Sequence, residues 1–169
     1  MAAPTFATGD VPTADQFNNW FVNTKFARKA ANTPRSSTIT LTDDPDLQLT
    51  GLLANSAYHA TAVLHHQSAP AGDLAFQFLG PSGSTFDHIV STLTAGGSVY
   101  TDDNTYSNTV GAPTTSGGIT GVRVGIMVEG LLVTAGSGGS FKLQWAQGTS
   151  SASSSTLLAN SFLLLRQVS

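Results

Sequence analysis

The residues of this chain with chemistry to offer are few and fall into small groups. A serine-rich run, "TSSASSST" (149–156), follows the alternating stretch "FKLQWAQ" (141–147). Four histidines stand at His59, His65, His66 and His88. Acidic residues gather at Asp43, Asp44 and Asp46, and again at Asp102 and Asp103 beside Asn104. Each group suggests a reaction, and each can be weighed against a plainer role.

A nucleophilic serine needs a strained turn and a positioned base. The run at 149–156 has many hydroxyls but no G-x-S-x-G context. It reads as a polar hairpin loop between two core strands. His65 and His66 are adjacent on a predicted strand, so their side chains point to opposite faces. His59 and His65 share a face, but at roughly 3.3 Å per residue they stand about 20 Å apart. A shared zinc is therefore not expected. The Asp43–Asp46 and Asp102–Asn104 clusters carry oxygen ligands that suit calcium, yet neither has EF-hand spacing. Both read as Asx-rich turns. Glu129 is the only glutamate, and its place before Gly130 predicts a tight hairpin turn. No catalytic residue, metal ligand or cofactor-binding residue is assigned.

Four of the seven basic residues, Lys25, Arg28, Lys29 and Arg35, lie close together near Phe21 and Phe26. Such a patch can stack on and neutralise nucleic acid. The formal net charge of -3 argues against nucleic acid as the main partner. A surface that docks on another protein accounts for the patch as well.

The elements that position these groups differ along the chain. "TADQFNNWFVNTKFARKAA" (13–31) predicts a helix: Thr13 and Gln16 fit a capping box, and Phe17, Trp20 and Phe21 follow helical spacing. From about residue 36 the period becomes two. Strands are predicted at 37–42, 46–52, 57–66, 73–79, 86–93, 121–128, 131–135, 141–147 and 161–168, with Gly, Pro, Asn and Asp turns between them. The fold class expected is all-β: an antiparallel, jelly-roll-like β-sandwich of about 8–9 strands. An N-terminal arm with one helix (1–35) precedes a sandwich domain (36–169). The core faces are Phe141/Leu143/Trp145, Leu74/Phe76/Phe78 and Val122/Val124/Ile126/Val128. The run Phe162–Leu165 is apolar on both faces and needs a cover, from the helix or from another subunit.

Composition narrows the class. Charged residues are 10% of the 169 residues, with 40% hydrophobic and no cysteine. An ordinary soluble domain carries roughly 25% charge. So little charge leaves few groups to oppose close approach of a neighbour, as suits a protein that lives in an assembly. Disulfides and thiolate chemistry are excluded. No apolar run reaches the roughly 18 residues of a membrane span, and "MAAPTFATGD" lacks the regions of a signal peptide. The chain is expected to begin in a cytoplasm.

Several stretches resemble small virion structural proteins of tailed phages of actinobacteria, of the head-decoration, minor-tail and tail-fibre-like kinds. They are "FATGDVPTADQFNNWFVN", "STITLTDDPDLQLTGLLANSAYHATAVLHH", "DLAFQFLGPSG" and "GSFKLQWAQGTSSASSSTLLANSFLLLRQV". The resemblance implies a non-enzymatic protein on the virion surface. It would be assembled in the host cytoplasm, beside a major capsid protein or tail proteins, often as a trimer. Virion docking is then expected through Phe17, Trp20, Phe21, Lys25, Arg28 and Lys29. A loop with Tyr100, Asp102, Asp103, Asn104 and Tyr106 would be free to contact a host glycan. No nucleic acid, membrane or cofactor is implied.

Overall fold

The computed structural model describes residues 8, 9, 11, 13, 24–94, 100, 101 and 107–168. Thirteen strands are assigned among them: β1 (Thr24–Arg28), β2 (Thr33–Arg35), β3 (Thr42–Leu52), β4 (Ala57–Gln67), β5 (Leu74–Leu79), β6 (Thr85–Leu93), β7 (Tyr100–Thr101), β8 (Ser107–Thr109), β9 (Thr114–Ser116), β10 (Val124–Val133), β11 (Gly139–Ala146), β12 (Ser155–Leu157) and β13 (Phe162–Gln167). They form two antiparallel sheets. The larger runs β1-β13-β4-β10-β6-β7, with β2, β8 and β12 attached; the smaller runs β3-β11-β5-β9.

Alternation in the sequence explains which faces meet. Leu74, Phe76 and Phe78 on β5 and Phe141, Leu143 and Trp145 on β11 are all buried, as are Tyr58, Leu64, Phe86, Ile126 and Leu132 of the larger sheet. These residues form one cluster drawn from both sheets. Aromatic rings lock the two inner faces together: Phe78 stacks on Phe141 at 5.4 Å, and Phe86 meets both edge-on at 5.7 and 5.2 Å. Offset and edge-to-face pairs of this kind add about 0.5–1.5 kcal/mol each beyond burial.

Three expectations are corrected. Residues 24–28 of the predicted helix form strand β1, paired with β13 from Thr24↔Arg166 to Arg28↔Phe162. Their burial alternates with period two. The open backbone edge of β13 is satisfied by this pairing, and sheet pairing overrides local helix propensity. Residues 14–23 lie outside the described residues. Second, residues 36–41 are not a strand. Ser37 has φ 54°, and the segment crosses from β2 to β3, held where the Gln147 amide N–H donates to the Thr38 carbonyl (3.2 Å). Third, Glu129–Gly130 is no turn: β10 runs unbroken through it, between β4 and β6. A Cβ at Gly130 would strike the Asp87 carbonyl oxygen and come within 2.6 Å of the His88 Cβ. Glycine there marks close approach of two strands, not chain reversal.

The smaller sheet is tied to the residue just after β1 by one buried ion pair. Opposite Lys142 and Gln144 of β11, strand β3 shifts register between Gln48 and Asp43. This bulge turns Asp44 into the core. Its Oδ1 accepts from the Asp46 and Leu47 amides (3.0 and 3.2 Å). Its Oδ2 accepts from Lys29 Nζ (2.7 Å) and from Trp145 Nε1 (3.0 Å). Both charged side chains of the pair are fully buried. Breaking a buried pair leaves an uncompensated charge, at about 3–5 kcal/mol. Lys29→Ala is therefore expected to lower unfolding stability by about that amount in urea titration, while Lys25→Ala changes it by far less.

Candidate functional site

The hydroxyls that looked most able to do chemistry are built into structure. Gln147, itself buried, organises the serine run. Its Oε1 accepts from the Ser151 and Thr38 amides (3.1 and 3.3 Å), and its Nε2 donates to the Ser153 carbonyl (2.7 Å). Ser155 begins β12, is fully buried, and donates to the Asp73 carbonyl at 2.6 Å. Ser153 and Ser154 are exposed, with no histidine among their described hydrogen-bond partners.

A serine–histidine cluster does exist, in the core. His66 at the end of β4 has Ser68 Oγ 3.0 Å from Nδ1 and Ser116 Oγ 2.8 Å from Nε2. Ser116 Oγ in turn lies 2.6 Å from Thr92 Oγ1. His66, Ser116, Ser68 and Thr92 are exposed by no more than 2%. Both ring nitrogens are taken by hydroxyls, so no carboxylate orients the imidazole as a general base. Burial pushes the His66 pKa down from 6.5 to about 4, which keeps the ring neutral near pH 7. The cluster ties β4, β6 and β9 together and cannot reach a substrate.

Lys29 is the buried partner of Asp44. Arg35 stacks over the Trp145 ring at 4.0 Å and donates to the Thr42, Asp43 and Trp145 carbonyls. Lys29 is thus internal, and Arg35 lies half-buried against the core edge. Asp43 accepts from Lys142 (2.6 Å) and Gln144 (2.6 Å), and these bonds, Lys142 first, hold its pKa below the usual carboxylate value. Asp46 reaches Lys29 at 3.4 Å. Among the described residues no group of three potential metal ligands comes together. Arg28 is exposed and donates to Asn160 (3.0 Å); Lys25 is half-buried. Tyr100 pairs with Leu93 at the end of β6. Phe17, Trp20, Phe21, Asp102, Asp103, Asn104 and Tyr106 lie outside the described residues.

What sequence reasoning missed is the outer face of the larger sheet. Phe26 is 58% exposed, Met127 51%, Ile89 49%, Leu131 41% and Val133 40%. Phe26 packs on Phe162 of β13 at 5.7 Å, so β1 covers part of the second face of 162–165. The signal was present in "IMVEGLLV", where both phases of the alternation are apolar. A shallow cleft of about 260 Å³ opens on this face between His59, Asp87, His88, Ile89, Glu129 and Gly130. His59 Nε2 lies 3.0 Å from Glu129 Oε1, an exposed pair of a kind that contributes under about 1 kcal/mol. His88 is held beneath, its ring stacked on Phe86 at 4.3 Å.

No known family profile matches the chain, and no curated protein matches it. Among solved structures, similarity is found to infectious bursal disease virus, Gx strain, at 10% identity and TM-score 0.19, over 85% of this chain and 35% of that one. For the Gt strain the values are 13% and 0.15, over 99% and 45%. The chain spans less than half the length of these solved chains. Similarity at this level does not define a shared fold.

The neutral buried His66 gives a pH signature. The unfolded chain binds a proton near pH 6.5 and the folded chain only near 4, so stability rises with pH between those values. Its contribution is full above pH 6.5 and falls by roughly 3 kcal/mol on acidification through pH 4. Denaturant titrations across this window should show the loss, and His66→Gln should flatten it.

Proposed function

We propose that this chain is a non-enzymatic virion structural protein of a tailed phage, a capsid decoration protein docked on the head through its N-terminal arm. The observation that carries the reading is the broad, apolar-rich outer face of the larger sheet, set against a serine–histidine cluster sealed in the core. A face of this kind suits burial in an assembly; larger exposed apolar patches mark interaction sites. Four further features agree: the low charge, the absence of cysteine, the two-sheet architecture read as a sandwich, and the resemblance of several sequence stretches to phage virion proteins. The partners are the major capsid protein and further copies of the chain, and the place is the virion surface.

A second reading is a minor tail or tail-fibre protein that binds host glycans through the Tyr100–Tyr106 region. It is favoured by the density of Tyr, Asn, Asp and Thr there. Quantitative mass spectrometry of purified particles distinguishes the two. A decoration protein tiles the shell in numbers comparable to the capsid protein, whereas a fibre is present in few copies. Particles lacking the chain are expected to adsorb normally and to lose infectivity faster on heating or osmotic shock. Normal heat resistance with lost adsorption supports the tail reading.

A further inference from the structure

The outer face of the larger sheet has an order that its apolar content alone does not reveal. The strand registers place its side chains in rows across β1, β13, β4, β10 and β6. One row reads Arg28, Phe162, Val63, Met127, Ser91; the next Phe26, Leu164, Thr61, Glu129, Ile89; the next Thr24, Arg166, His59, Leu131, Asp87. The charges separate by side. On β1 and β13 the outward charged residues are Arg28 and Arg166. On β10 and β6 they are Glu129 and Asp87. Apolar residues lie on both sides, and β4 between them carries Thr61, Val63 and the histidines His59 and His65. Arg123 stands just before β10, near His65, whose pKa is lowered by burial and by that charge.

We propose that this face pairs with the same face of a second copy of the chain, about a two-fold axis running along β4. Such an axis exchanges the two sides. It lays the β1–β13 half of one copy over the β10–β6 half of the other. Arg166 of one copy then faces the Glu129–Asp87 side of the next, and Phe162 and Phe26 meet the Met127 and Ile89 positions. An in-plane axis across the strands would instead lay basic side over basic side. The two-fold therefore satisfies charge and apolar surface together, as a self-complementary interface requires.

The size fits. Five strands about 4.8 Å apart, five residues long in β1, six in β13 and about eight in the others at about 3.3 Å each, cover roughly 550 Å² per copy, or about 1,100 Å² in the pair. That reaches the lower edge of specific interfaces. A three-fold ring, which the resemblance implies, would cover the Phe162–Leu165 run instead, and a trimer by mass overturns the two-fold.

The test uses the full chain, with mass measured by sedimentation equilibrium from nanomolar to millimolar concentration. A dimer is expected. Arg166→Glu and Asp87→Arg should each weaken it by about tenfold or more, and the double exchange should restore most of that loss. Met127→Glu should give a folded monomer, with circular dichroism as the control. Monomeric wild type overturns the proposal, as does a dimer indifferent to these variants or single losses that the double exchange leaves unrepaired. A monomer in which Met127→Glu alters hydrogen exchange of residues 14–23 also overturns it, and assigns the face to the chain's own N-terminal segment.

Discussion

The fold turns on one buried ion pair. Lys29 and Asp44, both without solvent exposure, sit where β1 leaves the larger sheet and the β3 bulge enters the smaller one. The Trp145 indole N–H closes the same carboxylate oxygen from β11. Each partner alone would be an isolated charge in an apolar interior, at a cost of several kcal/mol per ion. The pair is tolerable only if β1, β3 and β11 are all in place. A charge that must be met thus sets how the two sheets are joined at this end. Arg35 reinforces the joint from outside by covering the Trp145 ring.

This constraint explains why part of the sequence misleads. Lys25, Arg28, Lys29 and Arg35 read together as a solvated basic patch, because only chain proximity was visible. In the fold they diverge: Arg28 points outward, while Lys29 and Arg35 turn inward to partners 15 and 110 residues away. Helical spacing around Phe17–Phe21 suggested continuation into 24–28, yet the unpaired edge of β13 is a long-range fact. Gly130 looked like a turn because its role, clearing space for His88 and the β6 backbone, depends on a strand 40 residues earlier. By contrast β4, β5, β6, β11 and β13 were legible to within a residue or two, since strict alternation at one buried face is written locally. Most of the core was too: Leu74, Phe76, Phe78, Phe141, Leu143 and Trp145 are all inside, whereas Val122 is 46% exposed.

Polar groups that suggested catalysis hold strands together, Ser155 donating to Asp73 and His66 lying between two serines, while Gln147 organises the serine run. Among the described residues the exposed surface carries hydroxyls, scattered charges such as Arg28, Asp87, Glu129 and Arg166, and rows of apolar side chains. It is consistent with a component whose work is to be held against neighbours, and the low charge lets those neighbours approach closely.

The most direct test of the proposed virion role is an electron-microscopic reconstruction of the intact particle at a resolution that shows strands. Two-sheet density is expected on the outer surface of the head, with the segment before β1 lying against the capsid shell. A particle that lacks this chain altogether, or a chain found only in infected cells with an enzymatic activity, would contradict it.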